Sequence, residues 1–245
     1  MDKTRVGSLT SLWRFPVKSM QGEQLEEAVI GDRGIIGDRQ WAVVAVETGK
    51  ALTARREPRL LYAFARLTGD TGVEIDLPDG QVTATSAGLS AWLGYDVELR
   101  RANEEERGTY EIASDFEHED TSEWISWNGP RGSFHDNNRT QVSIASASSF
   151  DGWDERRFRF NVIVDGSGEA ELIGRKLQLG DAVVDVVKSI GRCVITTRPQ
   201  PGGIERDLDV LRTINARSEG QLGIGALVVT GGKVSLGDEL QAVDD

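Results

Sequence analysis

The sequence predicts a mainly β protein with a few short helices, and three observations support this fold class. Short apolar runs recur along most of the chain, bounded by Gly, Asp, Asn or Pro. The 28 glycines and 6 prolines supply many tight turns between such segments. At 245 residues, the chain is long enough to form two units. We therefore expect two β-rich units, each of the barrel or sandwich type.

Three segments of the chain differ in their patterning. The strand pattern predicts a first β-rich unit that closes near residue 102, and a second β-rich unit from the strand at residue 141 onward. Residues 103–138 between them are predicted to be an acidic surface connector, because Glu and Asp dominate up to residue 120 and the apolar pattern fades. These acidic residues lack the spacing of a calcium loop, so we interpret them as a solvated face.

Strand patterns alternate with turn residues in both units. In the first unit they cover residues 6–15, 29–36, 41–46, 51–54, 60–67, 73–77, 81–85 and 97–101, with a short helix predicted over residues 87–94. In the second they cover residues 141–145, 160–164, 177–179, 182–188, 224–229 and 233–236. A helix is predicted over residues 150–156, and residues 211–217 are expected to be irregular or briefly helical.

Several polar residues fall where predicted strands end. Pro16 breaks strand pairing, so Lys18 and Ser19 are expected on a loop. The turn at residues 37–39 places Arg39 at the mouth of two strands. Because loops carry most binding residues, these positions are candidates for a site.

The net charge of −12 comes from 28 Lys and Arg against 40 Asp and Glu. This acidity argues against nucleic-acid binding, which requires basic surface. A site for an anion must therefore be a local cluster of basic side chains and backbone N–H groups. The sequence has no leader pattern and no apolar run near the roughly 18 residues of a spanning helix, so we expect a cytoplasmic protein that does not enter membranes.

Cys193 is the single cysteine, so it has no internal disulfide partner, and it fits a reducing compartment. The adjacent Arg192 favours the thiolate, which acts as a nucleophile or as a ligand of a soft metal. An isolated cysteine among apolar residues is also often a small buried hydrophobe, and the residues alone leave both interpretations open. One Cys and two His are too few for an iron–sulfur cluster or a structural zinc site.

Several catalytic signatures are missing from the sequence. It contains no Gly-x-x-x-x-Gly-Lys-Ser/Thr phosphate loop, and Gly223-Ile224-Gly225 lacks the third glycine of a dinucleotide fingerprint. A protease-like Cys/His pair is disfavoured, because His118 and His135 lie in weakly patterned sequence. These absences reduce the support for nucleotide-driven, nicotinamide-dependent and proteolytic chemistry.

A set of polar residues at strand ends remains as the candidate site. Its members are Lys18, Ser19, Arg39, Ser146, Ser149, Arg159, Asn161 and Cys193. Lys and Arg form charge-assisted hydrogen bonds with phosphate, Ser and Asn add directional ones, and a thiolate can ligate a metal. Each residue taken singly also has an ordinary structural role, as a surface charge or a helix cap. Their combination indicates a site.

Four blocks of the chain resemble the MOSC proteins, the group named for the C-terminal domain of molybdenum cofactor sulfurase. The blocks are Phe15-Pro16-Val17-Lys18-Ser19-Met20, Gly34 through Gly37-Asp38-Arg39, Arg157-Phe158-Arg159-Phe160-Asn161 and Arg192-Cys193-Val194-Ile195-Thr196-Thr197. The resemblance spans nearly the whole chain. It implies a MOSC β-barrel domain over residues 134–245, packed with a MOSC N-terminal β-barrel domain over residues 1–102. The acidic connector then covers residues 103–133.

By this resemblance, Cys193 is the catalytic residue and the metal ligand, since it matches the cysteine that binds molybdenum in the amidoxime-reducing branch. The resemblance also implies a group of residues that bind the pterin and phosphate of the molybdenum cofactor (molybdopterin). These are Lys18, Ser19, Arg39, Ser146, Ser149, Arg159, Asn161 and Arg192. The implied activity is reduction of N-hydroxylated or N-oxygenated small molecules, with electrons from a separate donor protein such as a ferredoxin or a flavoprotein reductase.

Two alternatives to a reductase stay open. The first is a sulfur carrier or cofactor-handling protein with a persulfide on Cys193, because a persulfide and a metal thiolate both need an accessible cysteine near basic groups. The second is a binding module that has kept the barrel and lost the chemistry. Mass and metal analysis distinguish these alternatives, whereas the sequence does not.

The chain departs from the reductase relatives in a few places. After the two threonines they usually continue with an Asp-Pro loop, whereas this chain has Arg198-Pro199-Gln200-Pro201-Gly202-Gly203. Phe160 stands where relatives often have proline. The sequence shows no C-terminal ferredoxin domain and no pyridoxal-phosphate domain of a complete sulfurase. Pyridoxal phosphate binding is thus a family-level term here, and electrons are expected from outside the chain.

Overall fold

The computed structural model describes residues 3–69, 71–115 and 121–243, and this part of the chain is mostly β-structure with two α-helices. The strands are β1 Lys3–Arg14, β2 Glu23–Gln24, β3 Glu27–Gly31, β4 Gly34–Ile35, β5 Trp41–Ala45, β6 Phe64–Thr68, β7 Gly72–Asp76, β8 Val82–Thr83, β9 Val97–Arg101, β10 Arg107–Ala113, β11 Trp124–Arg131, β12 Val142–Ser146, β13 Val162–Val164, β14 Lys176–Leu179, β15 Ala182–Gly191, β16 Gln221–Thr230, β17 Gly232–Ser235 and β18 Glu239–Val243. The helices are α1 Ser86–Leu93 and α2 Asp209–Ser218. The predicted fold class is confirmed.

Seven strands form a closed barrel. Their order is β13-β12-β16-β15-β14-β18-β1, and β1 closes the barrel by pairing with β13. In that closing pair, Leu12 lies opposite Val162, while at the other edge of β1 Lys3 lies opposite Val243. Every strand edge of the barrel therefore has a partner, which removes the exposed edge of an open sheet.

The barrel interior is filled by alternating apolar side chains. Along β15, Ala182, Val184 and Val186 are buried, and Leu177 and Leu179 of β14 are also buried. Successive side chains of a strand point to opposite faces, so this period of two turns one face of each strand into the core. Burial of one such Val or Leu stabilises the fold by about 1.5–3 kcal/mol relative to leaving it exposed.

The parallel pair β12–β13 needs a crossover connection, which the chain makes without an α-helix. The crossover contains 3-10 segments over Ala147–Phe150 and Glu155–Arg157. The prediction of a helix over residues 150–156 is therefore wrong. The reason is local, because Asp151 and Gly152 have φ of 54° and 84° and end the helical turn after Phe150.

The first unit has its own apolar core. Its sheets are β5–β9 and β6–β7–β8, and α1 packs onto β9. Val43, Leu60, Ile75 and Leu89 belong to this core. The strand predicted over residues 60–67 is wrong in its first half, since Pro58–Tyr62 forms a 3-10 turn and only Phe64–Thr68 is a strand.

The strand pairing links the two predicted units. The division into residues 1–102, 103–133 and 134–245 stays a prediction, but β1 lies within the barrel and β3 pairs with β17. The predicted surface connector also contains structure, because β10 and β11 form an antiparallel pair with the fully buried Tyr110. The acidic residues and His118 within residues 116–120 lie outside the described residues.

The C-terminal part adds two elements to the predicted pattern. Residues 211–217, expected to be irregular or helical, fall in α2, which buries Val210, Leu211 and Ile214. The strand β18 was not predicted, since only Leu240 and Ala242 mark its buried face. Within the described residues, no helix combines the length and apolarity needed to cross a membrane.

Candidate functional site

A cavity of about 150 Å³ lies between loops of the first unit and the open end of the barrel. Most of the predicted site residues line it. These are Lys18, Ser19, Arg39, Arg159, Asn161, Arg192 and Cys193. The structure thus brings residues from both parts of the chain, far apart in sequence, to one site.

A second concavity, of about 580 Å³, is larger but offers less to a ligand. Several of its polar side chains are paired with each other: Lys50 binds Glu111 at 2.7 Å, and the Tyr95 hydroxyl donates to Glu57 at 2.9 Å. Polar groups already paired in this way gain little from a ligand. We therefore place the candidate site in the smaller cavity.

Backbone hydrogen bonds hold together the two first-unit loops that carry Lys18 and Arg39. The Arg39 N–H donates to Phe15 O at 2.7 Å, and the Trp41 N–H donates to Pro16 O at 2.9 Å. The Phe15 N–H donates to the Asp38 carboxylate at 2.8 Å. Pro16 has no N–H to offer a neighbouring strand, so the chain leaves β1 here and forms the loop.

Three cavity residues have an uncommon backbone conformation. Ser19, Arg39 and Arg159 have φ of 70°, 50° and 57°, in the left-handed region that favours glycine. A non-glycine residue in this region costs energy, and such residues cluster at functional sites because the surrounding structure holds them there. In this backbone conformation, the side chains and amides of the three residues point in directions that a regular strand does not allow.

Lys18 is a buried cation at the cavity. Its ammonium donates to Phe134 O at 2.8 Å and to Asp136 Oδ1 at 2.9 Å, and lies 4.1 Å from the centre of the Tyr110 ring. Burial lowers the pKa of Lys18 below its usual 10.5, and the Asp136 carboxylate partly opposes this. The pKa of Asp136 is itself lowered, because Lys18 and Arg55 outweigh the effect of burial.

Arg39 and Arg159 form a second cationic group. Their guanidinium carbons lie 5.0 and 4.4 Å from the centre of the Phe15 ring, and Arg39 donates to Arg159 O at 3.0 Å. Burial and the nearby Arg39 lower the pKa of Arg159 to about 9, so Arg159 is still charged at pH 7. Arg39 also pairs with Asp38.

Arg192 brings a third cation next to Cys193. Its guanidinium donates to Phe158 O and stacks on Phe160, 4.9 Å from the ring centre. Burial lowers the pKa of Arg192 to about 10, which leaves it charged at pH 7. Its Nε is buried and has no hydrogen-bond partner among the described residues. A bound anion would supply that partner.

Cys193 lies at the start of a 3-10 turn, Val194–Thr197, and is half-buried. The Thr196 N–H and hydroxyl both donate to the carbonyl of Cys193, at 3.1 and 2.9 Å. Arg157 holds the same turn by donating to Thr196 O at 3.2 Å. These bonds fix the backbone of Cys193, while its free thiol contributes to the cavity wall.

The side-chain amide of Asn161 makes its hydrogen bonds to other residues of the protein. Its Oδ1 accepts hydrogen bonds from the N–H and hydroxyl of Ser143, at 3.2 and 2.8 Å, and its Nδ2 donates to Trp13 O at 3.3 Å. The side chain therefore ties together β1, β12 and the start of β13 at the cavity wall.

Two of the predicted site residues are not in the cavity wall. Ser146 is fully buried at the end of β12. Ser149 donates to Glu169 Oε1 at 2.7 Å and belongs to the crossover. A serine-rich stretch at the end of a strand has the same appearance in sequence whether it faces a ligand or a neighbouring carboxylate.

Sequence reasoning missed several residues of the cavity. They are Thr53, Arg55, His135, Asp136, Thr140, Ser143 and Arg157. A signal existed for Arg55, within the dibasic Arg55-Arg56 after a short apolar run, and for Arg157, which precedes Arg159 in one of the basic blocks. No comparable signal marked His135, whose contact with the cavity comes from the path of the chain after β11.

His135 lies in the same cavity as Cys193, although sequence patterning disfavoured a Cys/His pair. Burial and the Arg39 cation lower the pKa of His135 to about 4. An imidazole with such a pKa is neutral at pH 7 and is a weak base. His135 is therefore not the strong imidazole base that a cysteine protease uses to activate its thiol.

Comparison with known proteins identifies the fold family. Residues 6–126 match the model of the MOSC N-terminal beta barrel domain, and residues 131–241 match the MOSC domain. The chain belongs to the MOSC family. The two matches leave only short segments of this MOSC protein uncovered.

Relatives of this MOSC protein carry different functional names. The human protein named mitochondrial amidoxime-reducing component 1 is 25% identical over 255 residues, which cover 86% of this chain and 72% of that protein. The Danio rerio protein named molybdenum cofactor sulfurase is 43% identical over 53 residues, which cover 22% of this chain and 6% of that protein. The crystal structure of the YUAD protein from Bacillus subtilis covers 98% of this chain and 97% of its own, with 13% identity and a TM-score of 0.45.

The MOSC cavity fits an anionic group with hydrogen-bonding edges. Besides Arg192 Nε, the hydroxyls of Thr53 and Thr140 are buried without a partner among the described residues. Within those residues, no cluster of three or more His, Cys, Asp or Glu could hold a metal ion. A cofactor that carries its own metal ligands needs only one from the protein, and Cys193 can supply it. The donors present fit the molybdenum cofactor.

Proposed function

We propose that this MOSC protein is a molybdenum-cofactor-dependent oxidoreductase that reduces N-hydroxylated or N-oxygenated small molecules. The observation that carries the proposal is the free thiol of Cys193 in a cavity lined by buried cations and unpartnered polar atoms. The chain has a net charge of −12, so this cavity is a local cluster of positive charge on an acidic protein. The combination suits an anion that carries a soft metal.

Each group of cavity residues has a distinct part in this proposal. The cations Lys18, Arg39 and Arg159 bind the negative charge of the cofactor, and the hydroxyls of Thr53 and Thr140 bind its polar edges. Cys193 ligates the metal through its thiolate, with Arg192 beside it to stabilise the negative sulfur. When bound, the cofactor supplies a metal that changes its oxidation state by two electrons.

The substrate class rests on the name of the human relative, an amidoxime-reducing component. Reduction of a C=N–OH group to C=N–H breaks the N–O bond, consumes two electrons and two protons, and releases water. We propose that a separate donor protein, a ferredoxin or a flavoprotein reductase, supplies the electrons. A cytoplasmic location is part of the same proposal and is tested by cell fractionation.

The first test is metal and pterin analysis. Protein from a molybdenum-replete host should contain both, and Cys193→Ala should lose molybdenum while keeping the circular dichroism spectrum and melting temperature of the wild type. Ser149→Ala, which alters a hydroxyl bound to Glu169 away from the cavity, is the matched control and should keep both. Wild-type protein with neither molybdenum nor pterin would refute the proposal.

The second test concerns the source of electrons. Metal-loaded protein should reduce an amidoxime such as benzamidoxime with reduced viologen, and should be inactive with NADH or NADPH alone. Rapid NADH-driven turnover by the isolated chain would show that it carries electrons itself. Inactivity with viologen in fully loaded protein would favour a different chemistry at Cys193.

A sulfur-carrier function is the second candidate, favoured by the local similarity to the Danio rerio sulfurase. In this function Cys193 holds a persulfide and passes its outer sulfur to an acceptor. Mass spectrometry of protein purified without reductant distinguishes the two candidates. An added sulfur atom on Cys193 in protein without molybdenum would favour the carrier, whereas an unmodified thiol in molybdenum-containing protein favours the reductase.

A further inference from the structure

The imidazole of His135 lines the cavity and has no part in the proposed function so far. The residue is 7% exposed, and its backbone oxygen accepts a hydrogen bond from the Tyr110 hydroxyl at 3.2 Å. The nearest charged partner of the imidazole is Asp38, whose Oδ2 lies 3.8 Å from Nε2, too far for a hydrogen bond. Within the described residues, the imidazole makes no hydrogen bond.

The ring nitrogens of His135 are not among the fully buried side-chain atoms that lack a partner, so they are accessible from the cavity that His135 lines. Ser11, Asn161 and Gln21, which are also buried or half-buried, all bind protein partners in this structure. His135 also borders the cavity and is fixed there through its backbone, but unlike these side chains its imidazole binds no protein group among the described residues. A ligand in the cavity can therefore reach an imidazole that the protein itself does not use.

The charge state of His135 decides what it offers to a ligand. Burial, together with Arg39 and Lys18, lowers its pKa to about 4, and Asp38 and Asp136 oppose this only in part. The ring is therefore neutral at pH 7. A neutral imidazole presents one N–H donor and one unprotonated nitrogen that accepts a hydrogen bond.

Most charged groups of this cavity cannot accept a hydrogen bond. Lys18, Arg39 and Arg159 are cationic and only donate hydrogen bonds. The carboxylate of Asp136 accepts, but it is already bound by Lys18 at 2.9 Å. The hydroxyls of Thr53 and Thr140 also line the cavity and can accept, and the neutral His135 adds a nitrogen acceptor to them.

We infer that His135 is a ligand-binding residue that accepts a hydrogen bond from an N–H or O–H group of the bound ligand. The cavity thereby selects an anion that also carries a hydrogen-bond donor, and discriminates against anions without one. The inference rests on the proposed function only for the identity of the natural ligand, the pterin of the molybdenum cofactor. Its test uses small probes and does not need loaded enzyme.

The experiment compares two aromatic carboxylates of similar size, pterin-6-carboxylate, which carries N–H donors, and 2-naphthoate, which carries none. Binding to cofactor-free wild type, His135→Leu and His135→Gln, made in a host that does not synthesise the molybdenum cofactor, is measured by fluorescence titration at pH 7. We expect His135→Leu to weaken pterin-6-carboxylate binding about five-fold, the loss of one neutral hydrogen bond. Binding of 2-naphthoate should change less than about two-fold, because the cations that hold its carboxylate remain. His135→Gln should recover most of the pterin binding, because its amide oxygen also accepts hydrogen bonds.

Gln81→Leu, at an exposed position outside the cavity wall, is the control and should bind both probes like the wild type. Circular dichroism spectra establish that all variants are folded. The inference is overturned if His135→Leu binds pterin-6-carboxylate as well as the wild type does, if it loses both probes equally, or if the wild type does not bind pterin-6-carboxylate. The proposed function is tested separately, by metal and pterin analysis. If wild-type protein contains neither molybdenum nor pterin but still distinguishes the probes, the proposed function fails and the inference about His135 holds.

Discussion

Asn161 and Thr53 border the same cavity, but they differ in whether their polar side-chain atoms have hydrogen-bond partners in the protein. The amide of Asn161 is engaged by Ser143 and Trp13, so it already has its hydrogen bonds without a ligand. The hydroxyl of Thr53 is buried without a partner among the described residues. An unsatisfied buried hydroxyl destabilises the empty protein, whereas a satisfied amide stabilises it. Within one site, some polar side chains thus stabilise the folded protein, whereas others are available to bind a ligand.

This contrast predicts opposite effects of two substitutions. Asn161→Ala should lower the free energy of unfolding of cofactor-free protein by about 2–3 kcal/mol, because it leaves the N–H and hydroxyl of Ser143 without an acceptor. Thr53→Val should leave that free energy unchanged or raise it, while lowering pterin retention. Urea unfolding and pterin fluorescence measure the two quantities. Equal stability losses in both variants would contradict this assignment.

The neutral state of His135 predicts a pH dependence of stability. Its pKa is about 4 in the folded protein, against a usual 6.5 in an unfolded chain. Between these values the unfolded state binds more protons, so the free energy of unfolding falls as the pH decreases from about 6.5 to 4. Above about pH 6.5 the unprotonated state of His135 makes its full contribution to the free energy of unfolding, about 3 kcal/mol relative to pH values below 4.

The check is a set of urea unfolding curves from pH 7 to pH 4 for wild type and His135→Gln. As the pH falls, the free energy of unfolding of the wild type should decrease more than that of the variant, because the variant has no imidazole to protonate. A difference that does not change with pH would show that His135 does not titrate in this way.

At the scale of elements, the turn between β3 and β4 connects the first unit to the barrel. Gly34 has φ of 108°, and a Cβ at this position would lie 2.1 Å from the carbonyl oxygen of Gln141, which precedes β12. No side chain fits in that space without moving backbone. The close approach lets Ala28, Ile30 and Ile35 join the apolar core of the barrel.

We therefore predict a large loss of stability for Gly34→Ala, about 3 kcal/mol or more, from backbone strain and displacement of the Gln141 carbonyl. Gly94→Ala is the matched control. Gly94 also has a positive φ, 78°, but a Cβ added there would meet nothing within 4 Å, so strain alone should cost about 1 kcal/mol. Thermal unfolding followed by circular dichroism gives both values. Similar losses for the two variants would argue against the close approach.

At the scale of the whole molecule, the N-terminal strand completes a barrel built mainly from the C-terminal half. The strand β1 fills the gap between β13 and β18, and Lys3 lies opposite Val243 in the antiparallel pair with β18. The two ends of the described chain are thus adjacent. Without β1, both neighbouring strands would expose unpaired edges and the core would lose Leu9 and Leu12.

A circular permutation tests this arrangement. The fragment 134–245 alone should not unfold cooperatively, because its barrel is open. The same fragment followed by a short glycine-rich linker and residues 1–36 should fold, since the linker joins β18 to β1 as a hairpin and restores the core residues of β3 and β4. Leu12→Asp in the permuted chain should abolish folding. Cooperative urea unfolding of the isolated fragment 134–245 would contradict the role of β1.

Much of the local structure was predictable from the sequence. The strand at residues 97–101 and the short helix before it are found as β9 and α1, because the alternation of Val97 and Leu99 with charged residues and a Thr–Gly pair of caps are local signals. The acidic segment was misjudged. There Tyr110 is fully buried, but Gly108 on the same face of β10 has no side chain and Ile112 on that face is exposed, so the apolar alternation of β10 is too weak to recognise.

The sequence by itself determined the fold class and much of the basic set around Cys193, since alternation, turn residues and the Arg-Cys block are contiguous features of the chain. Only the tertiary structure decided that β1 closes the second barrel, that Ser146 lies away from the cavity, and that His135 lies within it. The physical reason is that periodicity reports which face of an element is buried, but not against which element. Strand partners and cavity walls follow from how all the buried faces pack together, and residues far apart in the chain settle that jointly.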